Sequence, residues 1–113
     1  MEVQAKTSFL SISPQKLRLV CDKVRGMGAV QAVTVLQFMP QKGATFVVKT
    51  LKSAIANAEN NYDLDPDTLI VAQIFADDGP RLKRMKAGAR GRYKPRVRRT
   101  AHLTIVLQER EGA

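Results

Sequence analysis

The basic side chains between positions 81 and 99 are the residues of this sequence best suited to chemistry. This stretch of nineteen residues holds ten of the nineteen Lys and Arg and no acid, whereas the rest of the chain carries nine bases and all ten acids. The net charge of +9 therefore comes from one segment. Arginine predominates in it, and its planar guanidinium binds phosphate through two donors at once. The segment predicts a polyanionic partner.

The spacing of these bases indicates an extended backbone. Every second residue from 90 to 98 is basic. In a strand such residues point to one face at intervals of about 6.6 Å, close to the separation of successive phosphates on a nucleic acid. A helix would scatter them, and Gly88, Gly91 and Pro95 disfavour one. A disordered basic tail or a targeting patch is the alternative. The strand-like segments on both sides argue against that alternative.

Six regular elements are predicted around this segment. A first strand of about eight residues has Val3, Ala5, Thr7 and Phe9 on one face. A helix then starts at Ser13-Pro14, where a hydroxyl N-cap precedes proline, and stops at Gly26. Two more helices and two strands follow, at residues 29–38, 42–61, 69–76 and 101–108.

Two of these elements have informative apolar patterns. In the second helix, Val30, Val33 and Leu36 recur at helical spacing and are expected to form its buried face. In the second strand nearly every residue is apolar, which predicts a central position or burial on both faces.

About 24 residues join the second and third strands, and they contain almost no core-forming side chains. A loop of that length without structure is rare inside a compact domain unless it is functional. We therefore expect the two strands to continue outward as a two-stranded arm, residues 79–100, with its tip near Ala87-Gly88-Ala89. Nine residues of strand give it a reach of about 30 Å. Its charges repel one another, so we expect it to be ordered against its partner.

The predicted fold class is therefore α+β. A three-stranded antiparallel sheet packs on three helices in the order β-α-α-α-β-β, and a long β-hairpin protrudes between strands 2 and 3. At 113 residues the chain is expected to form a single domain, residues 1–113.

Composition and spacing argue against several functional classes. The single histidine, His102, starts a strand, where a structural or RNA-contacting role is favoured over catalysis. Asp77 and Asp78 are neighbours on an extended chain and point to opposite faces. Cys21 belongs to an apolar helical stripe, which predicts a buried thiol. We expect no enzyme activity, metal, cofactor, small-molecule substrate, signal peptide or membrane span.

Nucleic-acid binding is the remaining strong interpretation. No sequence-reading helix is evident, so binding by backbone and shape is expected, which suits folded RNA better than a DNA operator. Tyr93 either stacks on an unpaired base or packs on the opposite strand of the arm. Two alternatives stay open: an architectural DNA-binding protein with a basic β-ribbon arm, and a free RNA chaperone.

Four stretches resemble one protein family. They are SPQKLRLV at 13–20 followed by Arg25-Gly26, FMPQKGA at 38–44, KSAIANAENN at 52–61, and a discontinuous match that runs from Asp78-Gly79-Pro80 to HLTIV at 102–106. Together they cover most of the chain in order. The sequence resembles the family of bacterial-type large-subunit ribosomal protein number twenty-two. It departs from the family at Ala87-Gly88, where Pro-Arg is common.

The resemblance implies a function. Family members bind large-subunit rRNA, contact neighbouring ribosomal proteins, assist subunit assembly, and line the nascent-polypeptide exit tunnel with the hairpin tip. The expected location is the ribosome of the cytoplasm, or of an organelle. The tip corresponds to Lys86, Ala87, Gly88, Ala89, Arg90, Gly91 and Arg92. The candidate rRNA-binding residues are Lys16, Arg18, Arg25, Arg81, Lys83, Arg84, Lys86, Arg90, Arg92, Tyr93, Lys94, Arg96, Arg98, Arg99 and His102. Whether the first-helix bases face RNA or solvent stays open.

Overall fold

The computed structural model describes residues 2–80, 82–87 and 93–109. Within 82–87 and 93–98 the backbone alone is described. The helices and strands, in chain order, are β1 (Glu2–Leu10), α1 (Pro14–Val24), α2 (Ala29–Gln37), α3 (Lys42–Tyr62), β2 (Leu69–Asp78), β3 (Leu82–Ala87), β4 (Tyr93–Arg98) and β5 (Ala101–Glu109), with a single 3-10 turn at Pro66–Thr68 before β2.

The body is a three-stranded antiparallel sheet in the order β1-β5-β2, and helices cover one of its faces. The helix-facing side chains of β5, Leu103, Ile105 and Leu107, are fully buried. They join one hydrophobic core with the apolar faces of the three helices. The predicted α+β fold and its element order are confirmed.

Helix α1 begins and ends as its sequence predicts. The Ser13 hydroxyl accepts a hydrogen bond from the Lys16 amide at 3.4 Å, and Pro14 occupies the first turn. The helix ends at Val24, and Gly26 follows in the left-handed region with φ +86°. A non-glycine residue would be strained there, so this glycine stops the helix at low cost.

Helix α2 buries a different face from the predicted one. Its buried residues are Ala29, Ala32 and Leu36, whereas Val30 is 46% exposed. The prediction was wrong for Val30 because α2 packs through its alanines, which allow close approach to α3. Val33 is half-buried, at the border of the contact.

Strand β2 lies at an edge of the sheet, so the predicted central position is wrong, and β5 is the central strand. The alternative, burial on both faces, is wrong as well, because Phe75 is 40% exposed. Segments outside the sheet cover part of the free edge of β2. Gly26 donates to the Val71 carbonyl at 2.9 Å, and Val71 donates to the Met27 carbonyl at 2.8 Å. β2 also extends to Asp78, two residues beyond its predicted end.

The predicted alternation of β1 fails at Phe9. Thr7 pairs with Leu103 and Leu10 pairs with Ala101, so Ser8 and Phe9 together face the single residue His102. This β-bulge places Phe9 at φ +59° and leaves its side chain 64% exposed. The bulge turns both Thr7 and Leu10 toward the helices, which excludes Phe9 from the core.

The protruding hairpin is formed by β3 and β4, which pair in a separate two-stranded sheet from Leu82↔Arg98 to Ala87↔Tyr93. Ala87 is therefore a strand residue. The other predicted tip residues, Gly88, Ala89, Arg90, Gly91 and Arg92, lie outside the described residues. The Cα positions extend over 66 × 26 × 17 Å, so the chain is strongly elongated.

Candidate nucleic-acid interface

The arm continues directly from the two strands of the body that lead into it. Asp78 pairs with Ala101 in the body, and Leu82 pairs with Arg98 in the arm. The segment from Asp78 to Leu82 therefore contains one more residue than the segment that faces it. Gly79 donates to the Thr100 carbonyl at 2.9 Å, and the Thr100 hydroxyl donates to the Pro80 carbonyl at 2.7 Å. The base of the arm is thus tied across both strands.

Position 79 requires glycine because Thr100 and His102 lie close to its backbone. A Cβ there would collide with the Thr100 hydroxyl and lie 3.2 Å from the Thr100 carbonyl carbon. It would also lie 3.3 Å from Cε1 of His102. The glycine therefore allows the two strands to leave the body side by side.

The register of the arm places basic residues opposite basic residues. Arg84 is opposite Arg96, and Lys86 is opposite Lys94. Directly opposed positions of an antiparallel ladder lie on the same face, and like charges placed there destabilise the pairing. Position 98 lies on the same face, opposite Leu82. The arm therefore carries a row of five basic positions that repel one another.

The other face of the arm ladder is mostly apolar in sequence. Met85 is opposite Pro95, Ala87 is opposite Tyr93, and Lys83 is opposite Val97. The alternation predicted from Lys94 to Arg98 is thus observed in the backbone register. Arg81, Arg90 and Arg92 lie outside the described residues.

At the base of the arm, Arg99 lies 3.6 Å from a carboxylate oxygen of Asp78. Both side chains are substantially exposed, so the ion pair contributes little to stability. It keeps a guanidinium at the point where the arm leaves the body, and it partly offsets the charge of the Asp77-Asp78 pair.

Two candidate basic residues, Arg18 in α1 and Arg25 at its C-terminal cap, contact the sheet. Arg18 donates through Nε to the Ala76 carbonyl at 3.0 Å, and Arg25 donates to the Ile74 carbonyl at 2.6 Å. These carbonyls lie on the free edge of β2. Arg25 also bonds to Asp22 at 2.6 Å. The sequence left open whether these residues face RNA or solvent. The structure shows that both arginines contact the edge of the sheet. Lys16 is exposed on the first turn of the helix.

His102 is held by its neighbours from two strands. Its Nδ1 accepts a hydrogen bond from the Phe9 amide at 3.1 Å, and the two rings meet edge to face with centroids 5.0 Å apart. His102 pairs with Asp77 on its other side. The structural role that the sequence favoured for His102 is present, in contact with an exposed aromatic ring.

A polar groove between β1 and α3 is a further candidate surface, which the sequence did not predict. It is lined by Gln4, Lys6, Ser53, Asn57, Asn60 and Asn61, among others. Asn61 donates to the Asn57 side-chain oxygen. The groove brings amides and one cation together without a carboxylate among its lining residues. The asparagine spacing on α3 was the available signal, because residues three and four apart share a helix face.

The described residues present neither a transmembrane helix nor a cluster of metal ligands. None of the described helices is sufficiently long and apolar to cross a membrane. Within the same part of the chain, no three of His, Cys, Asp and Glu converge on a point where an ion could bind. Cys21 is buried in the core, and burial raises the pKa of its thiol from 9.0 to about 11.

Comparison with known proteins identifies the family. The model of the family "Ribosomal protein L22p/L17e" matches residues 5–108. A relative from Thermomicrobium roseum, "Large ribosomal subunit protein uL22", is 51% identical over 109 residues, which cover 96% of this chain and 92% of the relative. Relatives of the same name from Syntrophobacter fumaroxidans and Clostridium novyi are 48% and 46% identical over 110 residues, covering 97% of this chain and 100% and 99% of theirs.

These bacterial relatives confirm the predicted localisation in a cytoplasmic ribosome. The family model matches most of the chain, and the relatives are about half identical to it. Both findings confirm the resemblance seen in the sequence. The chain belongs to the ribosomal protein L22p/L17e family, whose members are structural proteins and not enzymes.

Proposed function

We propose that this chain is a structural component of the large ribosomal subunit that binds large-subunit rRNA through its arm, residues 79–100. The chain acts as a single domain in which the body supports the arm. The relatives are named as proteins of that subunit, and this chain covers almost their entire length. The arm holds ten of the nineteen bases and no acid between positions 81 and 99.

The observation that carries the proposal is the register of the arm. Two like-charge pairs, Arg84↔Arg96 and Lys86↔Lys94, oppose the hydrogen-bonded ladder in which they lie. A polyanion that neutralises both members of each pair removes this repulsion. An ordered arm and a bound phosphate backbone therefore stabilise each other. Folded RNA offers phosphates on several sides of an inserted ribbon, as a groove of duplex DNA does not.

The remaining parts of the function follow from the position of the tip. β3 ends at Ala87 and β4 begins at Tyr93. We propose that residues 86–92 form the tip of the arm, line the nascent-polypeptide tunnel and meet the growing chain. The body then stays near the subunit surface and contacts neighbouring ribosomal proteins. An arm inserted between RNA segments holds them together, and in this way the protein assists subunit assembly.

The salt dependence of rRNA binding tests the role of the arm. One variant changes four bases of the arm to glutamine: Arg84, Lys86, Lys94 and Arg96. Its matched control changes four exposed lysines of the body to glutamine: Lys23, Lys42, Lys49 and Lys52. Each phosphate contact contributes about 0.7–0.9 to the slope of log affinity against log salt. The arm variant should lower the slope by about 3, and the control should change it by less than one.

Equal slopes for both variants would refute binding through the arm. Sedimentation of the wild-type protein with large subunits at moderate salt tests the wider assignment. A protein that stays in the supernatant while other subunit proteins sediment is not a ribosomal component. Subunits assembled without the protein should form more slowly, and added protein should restore the rate.

A further inference from the structure

The β-bulge of β1 holds an aromatic ring outside the core in an unfavourable backbone conformation. Phe9 has φ +59°, a region that bulky side chains rarely occupy, and its side chain is 64% exposed. Such strain persists when the surrounding structure imposes it, and it clusters at functional sites. The burial of Leu10 and the contact of Thr7 with Thr50, hydroxyl to hydroxyl at 2.7 Å, impose it here.

Phe9 is also fixed in orientation. His102 accepts a hydrogen bond from the Phe9 amide, and the two rings meet edge to face. The space beside His102 is limited by Gly79, since a Cβ on Gly79 would lie 3.3 Å from Cε1 of His102. An exposed phenylalanine normally samples several rotamers, so the partner ring makes Phe9 a preorganised surface.

The sheet face opposite the helices, which we call the open face, extends this surface. Its central residues on β5, His102 and Thr104, alternate with Leu103 and Ile105, which face the core. The short Thr104 side chain is only 3% exposed, and His102 is half-buried. Thr104 pairs with Lys6 on one side and with Phe75 on the other. Phe75 is 40% exposed, because it lies on the face of the sheet opposite the hydrophobic core. Two phenylalanines, one histidine and one lysine therefore share a face that none of the described helices covers.

These groups match the chemistry of an unpaired nucleotide. Bases stack on aromatic side chains presented by an open sheet, and a nearby cation binds the phosphate. The open face adjoins the base of the arm, because Asp78 and Ala101 connect it to residues 79–100. One carboxylate, Asp77, lies beside His102 on the side away from Phe9. A carboxylate can accept a hydrogen bond from the edge of a base, for example from the amino group of cytosine.

The geometry points to a second RNA site, in which Phe9 stacks on an unpaired base of large-subunit rRNA. Lys6 contacts the adjoining phosphate, and His102 is the positioning residue that holds the ring. This inference rests on the proposed rRNA-binding function and adds to it a contact that does not depend on the charge of the arm.

Filter binding of deproteinised large-subunit rRNA tests the inference. Phe9→Leu keeps an apolar side chain and removes the aromatic face, whereas Phe9→Tyr keeps that face. Phe38→Leu is the matched control, because Phe38 is 83% exposed on the body. Stacking on one base accounts for about a fivefold to hundredfold change in affinity. Phe9→Leu should lose that factor with an unchanged salt slope, and Phe9→Tyr and Phe38→Leu should bind as wild type does.

A measurement on the wild-type protein avoids dependence on a variant that fails to fold. Ultraviolet irradiation of the wild-type complex should crosslink a nucleotide to the peptide that contains Phe9, as identified by mass spectrometry. Wild-type affinity for Phe9→Leu, with no such crosslink, would overturn the inference while rRNA binding itself stands. Phe9→Leu that binds rRNA normally but fails to enter subunits would also overturn it, since the open face would then contact a protein. Loss of rRNA binding by the wild type would instead refute the proposed function.

Discussion

Cys21 shows how a single residue is specified by its place on a helix. It lies on the α1 stripe with Leu17, Val20 and Val24, and all four side chains are fully buried. Burial is the main reason that the pKa of its thiol is raised to about 11; Arg25 and Arg18 oppose this shift, and Asp22 adds to it. A thiolate is the reactive form of cysteine, so this thiol is inert near neutral pH.

The raised pKa of Cys21 predicts a loss of stability in alkaline solution. The thiol ionises from its usual pKa of 9.0 in the unfolded chain and at about 11 in the folded one. Between these values the folded state holds more protons, so the free energy of unfolding falls as pH rises. The loss should reach about 2 kcal/mol. Urea unfolding of wild type and Cys21→Ala at pH 8 and pH 11 measures it, and an equal loss in both proteins would contradict the assignment to this thiol.

Local sequence rules succeed where one residue satisfies a local requirement. The cap at Ser13, Pro14 in the first turn and the positive φ of Gly26 are all present. The same rules fail at Phe9, because its conformation depends on two neighbours that must both face the helices. Alternation alone cannot reveal a bulge, since the partner strand is more than ninety residues away in sequence.

At the level of elements, α1 completes the edge of β2. Arg18 lies in α1 and Arg25 follows its last residue, seven residues and about two helical turns further on, so both reach the same side of the helix. Their guanidinium groups bond to the carbonyls of Ala76 and Ile74, two residues apart on the strand. An uncovered edge strand is a template for pairing with another chain. The arginines therefore protect the sheet and keep α1 aligned along it.

Removing either arginine should uncover part of that edge. Arg25→Ala deletes two hydrogen bonds from a charged donor, and we expect it to lower the free energy of unfolding by about 1–2 kcal/mol. Arg18→Ala should cost about 1 kcal/mol or more, since it deletes one. Lys23→Ala on the same helix is the control and should stay within about 0.5 kcal/mol of wild type. Thermal unfolding followed by circular dichroism measures all three, and arginine variants as stable as the control would refute edge protection.

Element types were predictable here and element positions were less so. The three helices, the strands of the body and the arm follow from periodicity and from the long connection. The edge position of β2 could not be predicted in this way, because its apolar residues resemble those of a central strand. Coverage of its edge by residues 26–28 and by two arginines is a tertiary feature, and periodicity carries no information about it.

On the scale of the whole molecule, the protruding arm accounts for both the elongated shape and the separation of charge. The body, with nine bases and ten acids, is nearly neutral and contains the hydrophobic core, whereas the arm carries the excess charge. The sequence predicted the arm because its bases alternate. It could not predict the register that places base opposite base, since register depends on the extra residue between Asp78 and Leu82.

Changing the charges of one arm strand should separate the stability of the arm from its function. In the variant Arg84→Glu, Lys86→Glu, each acid is opposite a base, Arg96 or Lys94, so two repulsive pairs become attractive. Each cross-strand pair should gain about 0.2–1 kcal/mol, and the amides of β3 should exchange with deuterium more slowly in the free protein. The same variant lowers the positive charge of the arm by four, so its affinity for rRNA should fall more steeply than that of a two-base glutamine variant. If the acidic variant instead bound rRNA as tightly as wild type, the repulsive pairs would have no role in binding. Slower exchange together with weaker binding is the result expected from the proposed function, in which RNA phosphates offset the repulsion between Arg84 and Arg96 and between Lys86 and Lys94.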